Sequence, residues 1–362
     1  MKKVFIAATR QNDGKTIVSM GLIASIKKRM PNVGYIKPVG QKYLVVNGKK
    51  VDKDAVLVRE VYKLNGNLAN MNPIAVTKGF TEAYIRHGKK EVLANRIKKA
   101  FHNVKKGRDF VLIEGTGHAG VGAVFDMSNS DVAKLLGSKV ILVSIGGLGR
   151  PIDEIMLNKA KFDQNGVELL GVIINKVQPN KYEKVEGLVR AGLKRKGIEV
   201  FGVIPYHEPL SSPSMEQIQE DIGGKLLSGE RGIKRAVHRM IIGAMQPHEA
   251  LGYFGEGTLL ITPGSREDII FAAMSGSIGA QARTFGVAGI ILTGKVTPHR
   301  HVLSLIKEID IPVIQIKEDT FSVASRIHDL IVKIRPTDTE KIRATEELIE
   351  KYVNTDRILS LL

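Results

Sequence analysis

The chain has 362 residues, 43% of them hydrophobic, which fits about two folded domains and excludes a disordered chain. It has no cysteine, which excludes disulfides, thiolate chemistry and Cys-built zinc sites, and its longest apolar runs, such as 140–145, are too short to span a bilayer. The net charge of +17 is uneven, with 37 Lys+Arg against 21 Asp+Glu in residues 1–229 and 17 against 16 beyond, so the first half suits a polyanionic ligand such as a nucleotide.

The elements read in chain order as follows. Two lysines precede an apolar run at the N-terminus, but polar residues follow at once, so the run is a buried first strand and not a signal peptide. Strands are expected over 3–8, 33–39, 110–114, 139–145, 169–175 and 200–204. Helices are expected over 15–30, 53–64, 81–103, 130–136, 151–165 and 182–196. The strands are nearly continuous apolar runs, as in a sheet covered on both faces. Their alternation with helices predicts an α/β fold, a doubly wound and mainly parallel sheet. A loop is expected over 206–214 and a linker over 213–232, around Pro209, Pro213 and Gly223-Gly224. A second, smaller α/β domain is then expected over 233–336. It has helices over 233–254, 266–284, 298–309 and 320–334, and strands over 258–262, 287–293 and 313–316. Residues 337–362 read as a helical tail. His299 and His301 are two apart, which places them on different faces of a helix and gives no metal site.

The segment Val4-Phe5-Ile6-Ala7-Ala8-Thr9-Arg10-Gln11-Asn12-Asp13-Gly14-Lys15-Thr16-Ile17 carries the clearest chemistry. A buried strand enters a loop, and Gly-Lys-Thr opens an amphipathic helix. The helix N-terminus offers unpaired N–H groups and partial positive charge to phosphates. Gly14 permits close backbone approach, Lys15 reaches the β- and γ-phosphates, and Thr16 suits magnesium. Thr9 stands where the usual P-loop has its first glycine. Carboxylates at strand ends beside such a loop are hard oxygen ligands, which makes Asp54 and Glu114 candidates for Mg2+. Lys37 offers a cation at a strand end, and Asn175 an amide that can both donate and accept.

The loop resembles the P-loop of dethiobiotin synthetases and cobyrinate diamide synthetases. Lys37-Pro38-Val39-Gly40, Asp52-Lys53-Asp54-Ala55, Phe110 to Gly117, Asn175-Lys176 and Gly202-Val203-Ile204-Pro205 are similar to segments of that superfamily, in the same order. Arg10 falls where the related partition-type ATPases carry a dimer-crossing lysine. Gly79-Phe80-Thr81-Glu82-Ala83-Tyr84-Ile85 resembles a segment of long phosphotransacetylases, in which such a domain precedes a DRTGG domain. Ile261 to Ile269, Leu292-Thr293-Gly294-Lys295 and Asp319 to Ser325 resemble the DRTGG signatures, with Ser265 and Lys295 departing from the pattern. The region that would carry acetyl transfer is not in the chain, so that activity is not expected.

The resemblance implies ATP and Mg2+ as ligands. It assigns Thr9, Arg10, Asn12, Asp13, Gly14, Lys15, Thr16, Ile17, Asn175 and Pro205 to the nucleotide. Lys15, Lys37 and Glu114 are the catalytic candidates, and Thr16, Asp54 and Glu114 the metal candidates. In the second domain, Thr262, Arg266, Thr293, Asp319 and Thr320 are ligand candidates, because open parallel sheets bind ligands at the carboxyl ends of strands. The leading expectation is a cytoplasmic, nucleotide-dependent regulatory protein with slow ATP hydrolysis, an unknown small-molecule effector or protein partner, and a homodimeric state. The alternatives are an ATP-dependent ligase and a partition-like, DNA-associated ATPase. With 5% aromatic residues and no Trp, nucleic-acid binding is not expected, nor is membrane binding.

Overall fold

The computed structural model describes residues 1–275, 286–330 and 332–362. They form two compact units, one of Met1–His207 with Ile334–Leu362 and one of Glu208–Lys333.

The first unit starts with β1 (Lys2–Ala8), whose last five residues are buried, and α1 (Lys15–Lys27). There follow β2 (Val33–Ile36), β3 (Val39–Gly40), a hairpin of β4 (Tyr43–Val46) and β5 (Lys49–Asp52), α2 (Lys53–Tyr62), α3 (Leu68–Met71) and β6 (Ile74–Ala75), which pairs with β3. The unit continues through α4 (Phe80–His87), α5 (Lys90–Lys105), β7 (Phe110–Glu114), α6 (Asn129–Leu135), β8 (Val140–Ile145), α7 (Arg150–Gln164), β9 (Leu169–Val177), α8 (Tyr182–Lys194) and β10 (Val200–Pro205). The main sheet has the order β10-β9-β8-β1-β7-β2, and every pairing in it is parallel. Side chains alternate between its faces with the period of a strand. Val4, Ile6 and Ala8 join the core beneath α1, while Phe5 and Ala7 join the core on the other face. With β1 flanked by β7 and β8, the loop after β1 leaves the middle of the sheet at its carboxyl edge.

Two elements of the first unit's residues 1–207 differ from expectation in particular. The helix expected over 81–103 is two helices, because Gly88 takes an extended conformation against the Tyr84 ring and ends α4. The strand expected over 33–39 breaks after Ile36, and the hairpin then leads into α2. Its turn, Asn47-Gly48, has positive φ at both residues, which matches the twist of a tight hairpin.

The second unit contains α9 (Glu208–Ser211), α10 (Met215–Ile222), β11 (Lys225–Ser228), β12 (Arg239–Ile242), α11 (Pro247–Ala250), β13 (Thr258–Pro263), α12 (Glu267–Ser275), β14 (Gly289–Thr293), α13 (Arg300–Glu308), β15 (Val313–Gln315) and α14 (Thr320–His328). Among the described residues its sheet runs β11-β15-β14-β13-β12, with only β11 antiparallel. The segment expected as a linker, 213–232, is therefore part of this unit. Ser214 and Gln217 form a reciprocal cap that starts α10, and Lys225–Ser228 is an edge strand. The helix expected over 233–254 is a strand and a short helix. Gly243 breaks it where the chain passes Leu260, Thr262 and Ile269, and Pro247 starts α11. The helix expected over 266–284 is seen as Glu267–Ser275, and 276–284 lies outside the described residues. Residue 331, in the helix expected over 320–334, is also outside them. His299 caps α13 instead of lying within it, so its ring meets that of His301 edge-on at 5.0 Å.

The helical tail is not a separate appendage. It forms α15 (Thr339–Tyr352) and α16 (Thr355–Ser360), and Ile349, Val353, Ile358 and Leu359 are buried in the α1-side core of the first unit. Removing residues 334–362 is expected to destabilise the first unit by about 2 kcal/mol for each of these four side chains. Urea unfolding followed by circular dichroism reads this directly. An unchanged midpoint would mean that residues 1–207 are complete without the tail.

Candidate functional site

The site forms where β1 and β7 end together, with Ile6 opposite Glu114. Gly115 N–H donates to Ile6 O (2.9 Å), Ala8 N–H to Gly117 O (3.3 Å) and Thr9 N–H to Val143 O (2.9 Å), which fixes the mouth of the loop 9–14. Thr9 needs no glycine, because its φ is not positive. Its hydroxyl donates to Asp13 Oδ2 (2.7 Å) and lies 3.2 Å from Ser144 Oγ. Asp13 also accepts from Arg10 N–H at 2.7 Å. Burial raises the Asp13 pKa, against the pull of those two bonds. Asp13 thus closes the loop on itself with its side chain. Gly14, at φ 97°, does require glycine, and a Cβ there would lie 2.1 Å from Asn175 Nδ2.

The two site lysines have opposite surroundings. Lys15, at the start of α1, is 9% exposed and makes no hydrogen bond or ion pair among the described residues. Burial lowers its pKa from 10.5 to about 8, opposed by the fields of Glu114, Asp13 and Asp54 and reinforced by Lys37. Gly14 supplies no side-chain cap and the first turn of α1 has no acidic residue, so the N–H groups of that turn face an uncompensated positive end.

Lys37 Nζ lies 3.0 Å from Asp52 Oδ1 and 3.7 Å from Glu114 Oε1, and it donates to Asp54 Oδ2. Burial pulls its pKa down, but Asp54, Glu114 and Asp52 together raise it above the ordinary value. Glu114 is fully buried and accepts from Thr16 Oγ1 and Tyr35 Oη, each at 3.1 Å. Burial raises its pKa, Lys37 lowers it and Asp54 raises it further. The structure thus brings Lys15, Thr16, Lys37, Asp54 and Glu114 together. Thr16 Oγ1 and the carboxylates of Asp54 and Glu114 are oxygen donors of the kind a hard divalent cation takes, and they converge on one another, so the donor set fits Mg2+.

Asn175 is 4% exposed. Its Nδ2 donates to Asp13 O (2.9 Å) and its Oδ1 accepts from Lys176 N–H (2.9 Å), so in this structure it holds the loop. Pro205 ends the neighbouring strand, paired with Val177. Arg10 Nε lies 2.8 Å from Glu154 Oε2, within its own chain. Asn12 is exposed with φ 68°, and Ile17 is half-buried on α1.

Several residues that hold the site were not singled out in the sequence. Asp52 caps α2 by accepting from Asp54 N–H (2.9 Å) while it pairs with Lys37. Asn72 accepts from Asp52 N–H (2.9 Å) and donates to Lys37 O (2.8 Å). Asn158 accepts from Ala119 N–H (2.8 Å) and donates to Thr9 O (3.3 Å). Asn129 accepts from Thr116 N–H (3.0 Å) and donates to His118 O (2.7 Å). The Asn-Gly turn at 47–48 was the one available signal for the hairpin that brings Asp52 in.

The family described as AAA domain matches residues 2–214, more than half of the chain. The chain belongs to that family. The DRTGG domain matches residues 217–330. Phosphate acetyltransferase of Nitratidesulfovibrio vulgaris is 26% identical over 369 residues, covering 99% of this chain and 51% of that protein. Its Synechocystis sp. counterpart is 27% identical, with the same coverage. The chain spans about half the length of these curated relatives and corresponds to their N-terminal part. Among solved structures, a putative plasmid partition protein of Borrelia burgdorferi bound to AMPPNP is 15% identical, with a TM-score of 0.39, covering 58% of this chain and 88% of that one. By the two family matches, the chain carries an AAA domain and continues into a DRTGG domain.

In the DRTGG domain the candidates are mostly engaged. Arg266 Nε and Nη2 grip Asp268 (both 2.9 Å), and its guanidinium also donates to Gly243 O (3.2 Å) and Met245 O (2.9 Å). Asp319 caps α14 through Ser322 N–H (2.9 Å) and Ser322 Oγ (2.6 Å). The Thr293 and Thr320 hydroxyls are 2.7 Å apart, and Thr262 is fully buried.

Substituting Lys37→Met leaves three buried carboxylates without their cation and is expected to cost about 3–5 kcal/mol. Urea titrations give the value. The deficit should shrink as pH falls, because Glu114, whose pKa burial raises, then takes up a proton, and adding Asp54→Asn should recover part of it. A Lys37→Met protein as stable as the wild type would show that this cluster does not hold the fold.

Proposed function

We propose that the AAA domain binds ATP with Mg2+ and that the protein is a nucleotide-dependent regulator, in which the DRTGG domain receives or sends the signal. The observation that carries this is Lys15, a side chain only 9% exposed that has no hydrogen bond or ion pair among the described residues, at the uncapped N-terminus of α1. Burying a cation in this way is costly unless an anion completes it, and phosphate does so together with the free N–H groups of the helix end.

In this reading the backbone of Thr9, Arg10, Asn12, Asp13, Gly14 and Ile17 surrounds the phosphates, and Lys15 contacts them. Thr16, Asp54 and Glu114 hold Mg2+, which would screen phosphate charge beside the carboxylates. Asn175 and Pro205 border the base. Lys37, already paired three times, serves as the counter-cation of the carboxylates, which removes the main support for a ligase reading. Thr262, Arg266, Thr293, Asp319 and Thr320 mark the edge of the DRTGG sheet at which an effector or a second copy of the chain would act.

Titration calorimetry with ATP-Mg tests the reading. Wild type should bind, and Lys15→Ala should lose binding; equal affinity in the two would sink the proposal. The pH dependence follows from the lowered pKa of Lys15. The ligand-binding charged form dominates below about 8 and is lost above it, so affinity should fall as pH rises through that value. Lys15→Arg, which stays charged, should flatten the fall if it still binds.

A further inference from the structure

The second unit is inserted into the first in sequence: the chain leaves the first unit at His207 and re-enters it at Ile334. What it re-enters is the back of the P-loop helix. On α1, Gly21 faces α15 so closely that a Cβ would lie 2.1 Å from Ile349 Cγ1 and 2.9 Å from Thr345 O. One turn on, Ser25 Oγ donates to Thr355 Oγ1 (3.1 Å), and both residues are buried. At the end of the helix, Arg29 Nη2 donates to Asp356 Oδ2 (3.0 Å), and Lys28 lies 3.4 Å from Glu350.

The same segment is fixed to the sheet by a second close approach. A Cβ at Gly202 would lie 2.5 Å from Tyr352 O, and Gly202 forms an antiparallel bridge with Val353. Asn354 N–H donates to Phe201 O at 2.9 Å, and Arg357 grips Glu199 at 2.8 and 3.1 Å. Two glycines thus make room for one strap, the first on the helix whose N-terminus bears Lys15 and Thr16.

We propose that residues 334–362 form a transmission strap that couples occupancy of the P-loop to the DRTGG domain, to which the strap is joined through Lys333. This rests on the nucleotide reading above and names its regulation. α1 is a rigid element with the phosphate site at one end and the strap packed along its side. A small shift of α1 on ligand binding must be followed by Ile349 and Thr355, because contacts this close leave no slack. The coupling is reciprocal, so whatever biases the DRTGG domain also changes nucleotide affinity through the strap.

Hydrogen exchange on the full chain, read by mass spectrometry with and without ATP-Mg, tests this. Nucleotide should change exchange at the P-loop, in peptides from 339–360 and in peptides from 208–333. Ile349→Ala should keep nucleotide binding and lose the change in 208–333. Thr355→Val, which removes only the bond to Ser25, should weaken that change and serves if the first variant does not fold. Absence of binding in wild type overturns both readings. Binding with no exchange change in 208–333, or with a change that neither variant reduces, overturns the strap alone.

Discussion

The first unit is organised around a charge that cannot be left alone. Glu114 ends the apolar strand β7, between β1 and the edge strand β2, and is fully buried. A lone carboxylate at such depth is strongly unfavourable, so it must be neutralised or protonated. Lys37 supplies the cation, and its ammonium demands more than one oxygen. Asp52 and Asp54 provide them, and this requires the hairpin before α2, the cap at its start and the Asn72 amide that fixes both backbones. One buried charge thus accounts for a run of local structures that share no sequence pattern.

The P-loop is stiffened by amides and a carboxylate where glycine would have left it loose. Asp13 closes the loop against Thr9 and Arg10, Asn175 ties Asp13 to β9, and Asn158 ties Thr9 to α7. Thr9 at the first-glycine position is therefore no defect. With its φ outside the left-handed region, a side chain is tolerated there, and its hydroxyl gains two partners. Gly14 is different, because both its φ and the Asn175 amide forbid a Cβ.

What the sequence disclosed follows from the range of the interactions. Strands such as Phe110–Glu114 were legible because burial on both faces writes a continuous apolar run. The Gly-Lys-Thr helix start was legible because it is local chemistry after a strand. The break at Gly88 was not, because a single glycine in a helical pattern is usually tolerated and only the Tyr84 ring makes it decisive here. Residues 233–254 misled because Met240-Ile241-Ile242 suits a strand or a buried helix equally, and only pairing with β13 decides. The return of the tail to α1 had no sequence signal. Ile349 meets Gly21 across more than three hundred residues, and no local periodicity encodes such a contact.

The two lysines show where motif reading stops and electrostatics begins. Both stand in segments that resemble the same superfamily, and composition treats them alike. Lys37 is neutralised three times over and held charged, whereas Lys15 is desolvated, without a partner among the described residues, and shifted toward neutrality. A group already satisfied by its own fold gains little from a ligand, while an unsatisfied one gains much. The affinity of the site for an anion should therefore reside in Lys15 and the open helix end, with Lys37 restricting where the carboxylates point. The buried cluster of Lys15 and Lys37 against Asp52, Asp54 and Glu114 has one more negative charge than positive. A phosphate entering alone meets that excess, whereas one entering with a divalent cation brings its own compensation to the carboxylates. On this argument the proposed nucleotide would enter together with its cation rather than alone.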